Sequence, residues 1–227
     1  MKQNQKTQRM LVIGASGGIG RAVALSLEAR GAQVTRLSRR ADGLDITDEA
    51  SVAQHLGALE GPFDGIFIAT GGLTADGAGP EKALADISAA AMAAQFALNA
   101  TGPTLVLRHA PRLLRRDRRA WVAALSARVG SIGDNRLGGW YGYRAAKAAL
   151  NQIVHTAAIE LARSHRQAVC VALHPGTVRT ALTAAYLGRH PAVAPEAAAE
   201  NLLAVLDGLG PTNSGGFFDW AGKPVAW

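Results

Sequence analysis

The sequence predicts a single α/β domain, a doubly wound parallel sheet of about seven strands with helices on both faces. Three observations lead there. Short apolar runs bounded by glycine or proline alternate with helical patterns along all 227 residues. The first apolar run opens into a glycine-rich turn that leads directly into a helix. No linker, repeat or low-complexity stretch interrupts the alternation, so residues 10–227 read as one domain behind a polar extension at 1–9.

The elements follow in order. Met10–Gly14 (MLVIG) has the continuous apolar character of a buried strand. Gly14-Ala-Ser-Gly-Gly-Ile-Gly20 then precedes a helical pattern through Arg30, stopped by Gly31. Strand, glycine-rich turn and helix in this order bring backbone N–H groups and a positive helix end to an anion, which marks a phosphate site. The spacing is G-x-x-x-G-x-G rather than the commoner G-x-G-x-x-G. Val34–Leu37 is the second strand, followed by Ser38-Arg39-Arg40. An acid at this strand end would bind a ribose 2′-hydroxyl, whereas an arginine accommodates a 2′-phosphate, so NADP(H) is favoured over NAD(H).

Leu44–Thr47 reads as a very short third strand with a turn, and Asp48–Leu59 as a helix. Phe63–Ala69 is the next strand, running into Thr70-Gly71-Gly72. From Asp86 to Leu114 one long helical pattern carries Asn99 and a kink at Gly102-Pro103. Ala120–Leu125 is a strand ending at Ser126. A helix from Tyr143 to Arg163 and a strand over Ala168–His174 follow, the latter stopped by Pro175-Gly176. Residues 177–195 form a loop with a short helix over the substrate, Pro195–Leu206 a helix, and Gly215–Trp220 a last strand. Ligands of such sheets bind beyond the carboxyl ends of the strands. Gly14–Gly20, Ser38-Arg39, Gly71-Gly72, Ser126 and His174–Thr180 all follow strands and should share one edge.

Tyr143 and Lys147 are by spacing alone either an ordinary surface i,i+4 pair or the groups that carry a chemistry. Four residues apart in a helical run, they stack on one face. A free phenol has a pKa of about 10, and an adjacent ammonium pulls it down at roughly 1.4 kcal/mol per unit. Such a tyrosine exchanges a proton with an alcohol or carbonyl near neutral pH.

Composition narrows the partners. Apolar residues at 48% and charged residues at 18% describe a globular chain. No apolar run approaches the roughly 18 residues of a membrane span. MKQNQKTQRM lacks an apolar signal core. The one cysteine, Cys170, falls in the apolar run AVCVAL, so a buried inert thiol and a cytoplasmic location are expected. The formal charge of +7 raises nucleic acid as a partner. Its densest cluster, Arg112 to Arg119 (RLLRRDRR), stands at an expected helix end with no interleaved aromatics. It reads as a solvated helix terminus, with no nucleic-acid partner.

With these residues in place, the chain resembles the short-chain dehydrogenase/reductase family over nearly its whole length. The likeness rests on the G-x-x-x-G-x-G turn, Asp45, Asn99, Tyr143-x-x-x-Lys147 and Pro175-Gly176. LSARVGSIGDNRLGGWYGYRAAKAALN followed by HPGTV is similar to the C-factor and sniffer-type carbonyl reductase branch.

The resemblance implies roles. Tyr143 is the general acid/base, Lys147 lowers its pKa and binds the nicotinamide ribose, and Asn99 holds a relay water. Gly14, Ser16, Gly17, Gly18, Ile19, Gly20, Ser38, Arg39, Asp45, Gly71, Pro175, Gly176, Val178 and Thr180 hold the cofactor, with Asp45 at its adenine. A small carbonyl or alcohol substrate and a homodimer or homotetramer are implied too. The family's serine aligns with Ala127, leaving Ser126, the favoured substitute, and Ser131 as candidates. His174, before a proline at a strand end, reads as structural. The second functional class is a cofactor-binding regulatory protein with weak or absent chemistry, which the Ala127 substitution motivates.

Overall fold

The apolar runs are strands in the computed structural model, which describes residues 7–74, 79–184 and 191–227. They are β1 (Arg9–Ile13), β2 (Gln33–Leu37), β3 (Gly65–Ile68), β4 (Ala120–Leu125), β5 (Ala168–His174) and β6 (Phe217–Asp219). All pair in parallel, in the order β2-β1-β3-β4-β5-β6. All but the half-buried edge strand β2 are buried on both faces. From β1 the chain first steps outward to β2 and later returns to the other side at β3. The crevice at this reversal, beyond the carboxyl ends of β1 and β3, is where such sheets take ligands.

Successive strand residues point to opposite faces, and this divides the core in two. Leu11, Ile13, Ile66 and Ile68 pack with Leu150, Val154, Ala158 and Leu161 of α7 (Tyr141–Leu161). The same layer takes in α3 (Glu49–Gly57), through Val52 and Leu56. Met10, Val12, Phe67, Val169 and Val171 face α1 (Gly18–Ala29) and α8 (Pro195–Gly208), through Val23, Leu27, Leu202 and Leu206. Each fully buried Leu or Val contributes about 1.5–3 kcal/mol.

The sheet has six strands among the described residues, not about seven. Leu44–Thr47 is a turn, because the Asp45 carboxylate accepts from both the N–H (2.9 Å) and the hydroxyl (2.7 Å) of Thr47 and bends the chain. Leu44 and Ile46 still bury their side chains. The long helix is broken before the expected kink. It runs as α4 (Ala89–Phe96), a π-helical segment at Ala97–Thr101, α5 (Gly102–Leu107) after α2 (Arg39–Asp42) and α3 in chain order, and a short α6 (Ala110–Leu113). Pro103 lacks the N–H that would close an α-helical bond to the Asn99 carbonyl, and the wider turn accommodates that loss. In the expected loop at 177–195, Val178 and Val193 pair as a parallel bridge, while 185–190 lie outside the described residues.

The basic cluster is not a solvated helix end. Asp64 is 4% exposed, and its Oδ1 accepts from Arg115 Nε (2.8 Å) and Arg118 Nη2 (2.8 Å). Its Oδ2 accepts from the Arg9 N–H (2.9 Å). Arg119 donates to the Leu206 and Leu209 carbonyls, and Arg112 to those of Leu56 and Leu59. The run pins the entry to β4 against β1, β3 and α8. No described helix is long and apolar enough to cross a membrane. Cys170 is buried, and burial pushes its thiol up to about 12, so it is inert as expected.

Burial alone would raise the Asp64 carboxyl, but the Arg9 N–H and the Arg118 and Arg115 guanidiniums outweigh it and hold it below the ordinary carboxylate value. A depressed carboxylate stabilises the fold above its unfolded pKa, and that contribution is lost as pH falls through the folded value. Asp64→Ala is therefore expected to cost about 3 kcal/mol at pH 7, measured by urea denaturation. The gap from wild type should narrow below about pH 4.

Candidate active site

Two cavities meet at the carboxyl edge of the sheet. The larger, about 560 Å³, is a cleft walled by Gly14, Ser16, Gly17, Ser38, Arg39, Asp45, Thr70 and Gly71. The second, about 430 Å³, is lined by Ile19, Ser126, Ala127, Trp140, Tyr143, His174, Pro175, Gly176, Val178 and Thr180, among others. The residues expected at the cofactor divide between the two, except Gly18, Gly20 and Lys147, which line neither. Of those expected in the chemistry, Tyr143 and Ser126 line the second.

Close packing builds the cleft. A Cβ on Gly20 would fall 2.3 Å from the Gly14 carbonyl oxygen, so only glycine lets α1 approach the turn. Gly17 caps α1 without a side-chain hydrogen bond, and no acidic residue occupies the first turn. The free N–H groups and positive end of that helix suit a phosphate. The buried Thr70 hydroxyl at the same wall has no protein partner. Both features fit a dinucleotide.

The end of β2 does hold an acid that sequence spacing did not flag. Asp42 of α2 folds back so that its Oδ2 accepts from the Ser38 N–H (2.8 Å) and hydroxyl (3.2 Å). Spent on this cap, it does not line the cleft, whereas Arg39 and Arg40 do. Asp45 lines it too, its carboxyl held below the ordinary value by the Thr47 hydroxyl and N–H, with Arg39 adding to the effect.

In the second cavity, three consecutive left-handed residues, Gly138 (φ 65°), Gly139 (φ 63°) and Trp140 (φ 55°), lead into α7. This conformation is strained for a tryptophan. It sets the Trp140 ring edge-on to Tyr143, with centroids 6.3 Å apart. Tyr143 and Lys147 share the buried face of α7, and Lys147 Nζ lies 5.9 Å from the Tyr143 ring centroid. Lys147 donates to the Leu125 carbonyl at 2.9 Å and is 3% exposed.

The electrostatics run opposite to the expected direction. Burial raises the Tyr143 phenol above its ordinary value and lowers the Lys147 ammonium to about 7. Desolvation disfavours charge on either group.

Asn99 is fully buried in the π-helical segment. Its Oδ1 accepts from the Gly72 N–H (3.1 Å), and its Nδ2 donates to the Gly72 carbonyl (2.9 Å) and Gln95 Oε1 (2.7 Å). It clamps the turn after β3. A Cβ on Gly71 would come within 2.8 Å of Asn99 Oδ1 and 3.2 Å of Lys147 Nζ. Gly71 and Gly72 line the cleft and the next residue, Leu73, the cavity, so the two adjoin here. Of the candidate serines, Ser126 lines the cavity but donates to Asn151 Oδ1 at 2.6 Å. Ser131 is 1% exposed, accepts from the Asp134 N–H, and does not line it. Among the described residues no His, Cys, Asp and Glu cluster could hold a metal ion.

Comparison with known proteins agrees with this architecture. The family model described as enoyl-(acyl carrier protein) reductase matches residues 14–205. The chain is 31% identical to the 1-hydroxy-2-glutathionyl-2-methyl-3-butene dehydrogenase of Rhodococcus sp. (strain AD45), covering 96% of this chain and 99% of that relative. It is 39% identical over 146 residues to the C-signal of Myxococcus xanthus, covering 64% of this chain and 84% of the relative. Among solved structures, the NADPH-bound carbonyl reductase from chicken fatty liver matches with a TM-score of 0.82 at 21% identity, over 97% of this chain and 94% of that one. The carbonyl reductase Sniffer of D. melanogaster matches with a TM-score of 0.79 at 18% identity, over 97% and 100%. At those identities the two structures share the fold. The matched span runs from the glycine turn into α8, and the chain belongs to the short-chain dehydrogenase/reductase family of NAD(P)-dependent oxidoreductases.

Proposed function

We propose that the protein interconverts a small carbonyl compound and its alcohol, with NADP(H) preferred over NAD(H). The observation that carries this reading is the position of Tyr143 and Lys147 on one face of α7, beside a cavity that adjoins the dinucleotide cleft. The reduced nicotinamide, when bound, supplies hydride to the carbonyl carbon. Gly14, Ser16, Gly17, Gly18 and Gly20 form the phosphate cradle. Ser38 and Arg39 meet the ribose end, with Asp45 beside them. Gly71 borders the cleft where it meets the cavity, and Ile19, Pro175, Gly176, Val178 and Thr180 wall the other side.

Tyr143 is the proton donor to the carbonyl oxygen and the acceptor in the reverse direction. Its raised pKa keeps the phenol protonated at neutral pH, the form that reduction needs. Lys147 donates to the Leu125 carbonyl, and its ammonium form has two further donors for the ribose and the phenol. Asn99 positions Gly72, and its remaining Oδ1 lone pair is the place for a relay water. Ser126 fixes α7 to the end of β4 through Asn151.

One observation favours the second reading, a regulatory protein that binds the cofactor with little chemistry. Ala127 has no hydroxyl, and that of Ser126 is already donated. NADPH binding without turnover across a carbonyl panel would support it.

Two variants test the first reading. Tyr143→Phe should lower kcat by about 10²–10⁴-fold while the NADPH dissociation constant, followed by fluorescence titration, stays near wild type. A variant that keeps full turnover would sink the assignment. Arg39→Ala should weaken NADPH binding by about 10–100-fold, as loss of a charge-assisted hydrogen bond predicts, with NADH binding barely changed. Equal loss for both cofactors would remove the claimed preference.

A further inference from the structure

The wall around Tyr143 has no serine hydroxyl free to donate. Ala127 has none, the Ser126 hydroxyl is given to Asn151, and Ser131 lies outside the wall. Turning the Asn151 amide round to release Ser126 would set its Oδ1 against the Gly130 carbonyl, which Nδ2 now faces at 3.4 Å. His174 lines the same wall. Leu125 and Leu173 pair in register, and the Ser126 N–H donates to the Leu173 carbonyl at 2.8 Å. The next residue of each strand, Ser126 and His174, therefore projects to the face that α7 covers. Unlike the serine, His174 is uncommitted. Its Nδ1 is shut off from solvent with no hydrogen-bond partner, and neither ring nitrogen bonds a described residue.

We propose that His174 is a catalytic residue that donates a hydrogen bond to the substrate's carbonyl oxygen, in the place of the hydroxyl that Ala127 lacks. This rests on the reductase reading above. Burial, helped by Arg128 from the loop after β4 and opposed by Asp219 from β6, lowers the ring to about 4. The imidazole is thus neutral at pH 7, with one N–H and one bare nitrogen. A stranded acceptor is better tolerated than a stranded donor, which leaves Nδ1 bare and puts the proton on Nε2. As hydride adds to the carbon, the Tyr143 proton passes to the oxygen. His174 keeps its own proton and stabilises the negative charge gathering there.

The test uses the full-length protein, NADPH and the best carbonyl of the panel, with melting temperature and NADPH affinity recorded alongside. His174→Phe should lower kcat/KM by about 10²–10³-fold without loss of NADPH binding. His174→Gln, which keeps a donor, should retain part of the activity. Adding Ala127→Ser to His174→Phe should recover about tenfold or more. Unchanged kcat/KM in His174→Phe overturns the inference alone. So does a loss matched by a fall in melting temperature and recovered by neither second substitution. Should His174→Phe not fold, Ala127→Ser in the wild-type background decides. A rise below about threefold means that the role is already filled, whereas about tenfold or more means that it is vacant and overturns the proposal. A wild type that binds NADPH and turns over no carbonyl overturns the reductase reading and the inference with it.

Discussion

Everything at the ligand edge depends on how closely three chain segments approach one another beyond β1 and β3. A Cβ on Gly14 would meet the Ala69 carbonyl oxygen at 2.8 Å, and one on Gly20 the Gly14 oxygen at 2.3 Å. These contacts fix the angle at which α1 leaves the sheet and aim its uncapped N–H groups into the cleft. From the other side, Asn99 grips the Gly72 N–H and carbonyl together. The turn after β3 is thereby held between α1 and the π-helical segment. Lys147, which a side chain at Gly71 would crowd, depends on the same spacing. The cleft and the Tyr143 face of α7 are two sides of one packing problem.

Within that frame burial sets the charge states of the side chains. Tyr143, Lys147 and His174 are all shifted toward their neutral forms, in each case chiefly by burial. The two that line the cavity, Tyr143 and His174, keep their charge states across physiological pH, whereas Lys147 behind them titrates near 7. Hydrogen bonds in such a setting act more strongly than in water, and a buried donor left without a partner is correspondingly costly. This is why the allocation of each N–H and O–H, more than the residue type, decides what the cavity can do. Ser126 has the chemistry expected of it, yet its proton belongs to Asn151.

Where local pattern dictates structure, the sequence was legible. β4 and β5 occupy the predicted Ala120–Leu125 and Ala168–His174, because a central parallel strand needs an unbroken apolar run and turn residues to end it. The order of motifs along the chain also placed the cleft and cavity residues at one edge. Side-chain bonds to nearby backbone were not legible from periodicity. Asp45 turned a would-be strand into a bend, and Asp42 supplied an acid where spacing showed only arginines. Pro103 marked a disturbance correctly, but its effect falls on the carbonyl four residues earlier, so the helix changes register at Asn99.

Long-range pairing was the least visible. The basic run after α6 looked like surface charge because its partner, Asp64, lies about fifty residues earlier in the chain, with a sequence separation of 51 to Arg115 and 54 to Arg118. The same blindness hid His174. On the sequence it is a strand-terminal residue before proline, with nothing nearby to bond. In the sheet it stands beside Ser126, the residue that follows β4, on the face that carries Tyr143. Parallel strands bring such edge positions into line regardless of their distance along the chain. A donor lost from the end of one strand can therefore be supplied from the next without moving the backbone. That substitution asks only that the neighbouring side chain be long enough, neutral and unspent, which here describes the imidazole and not the serine.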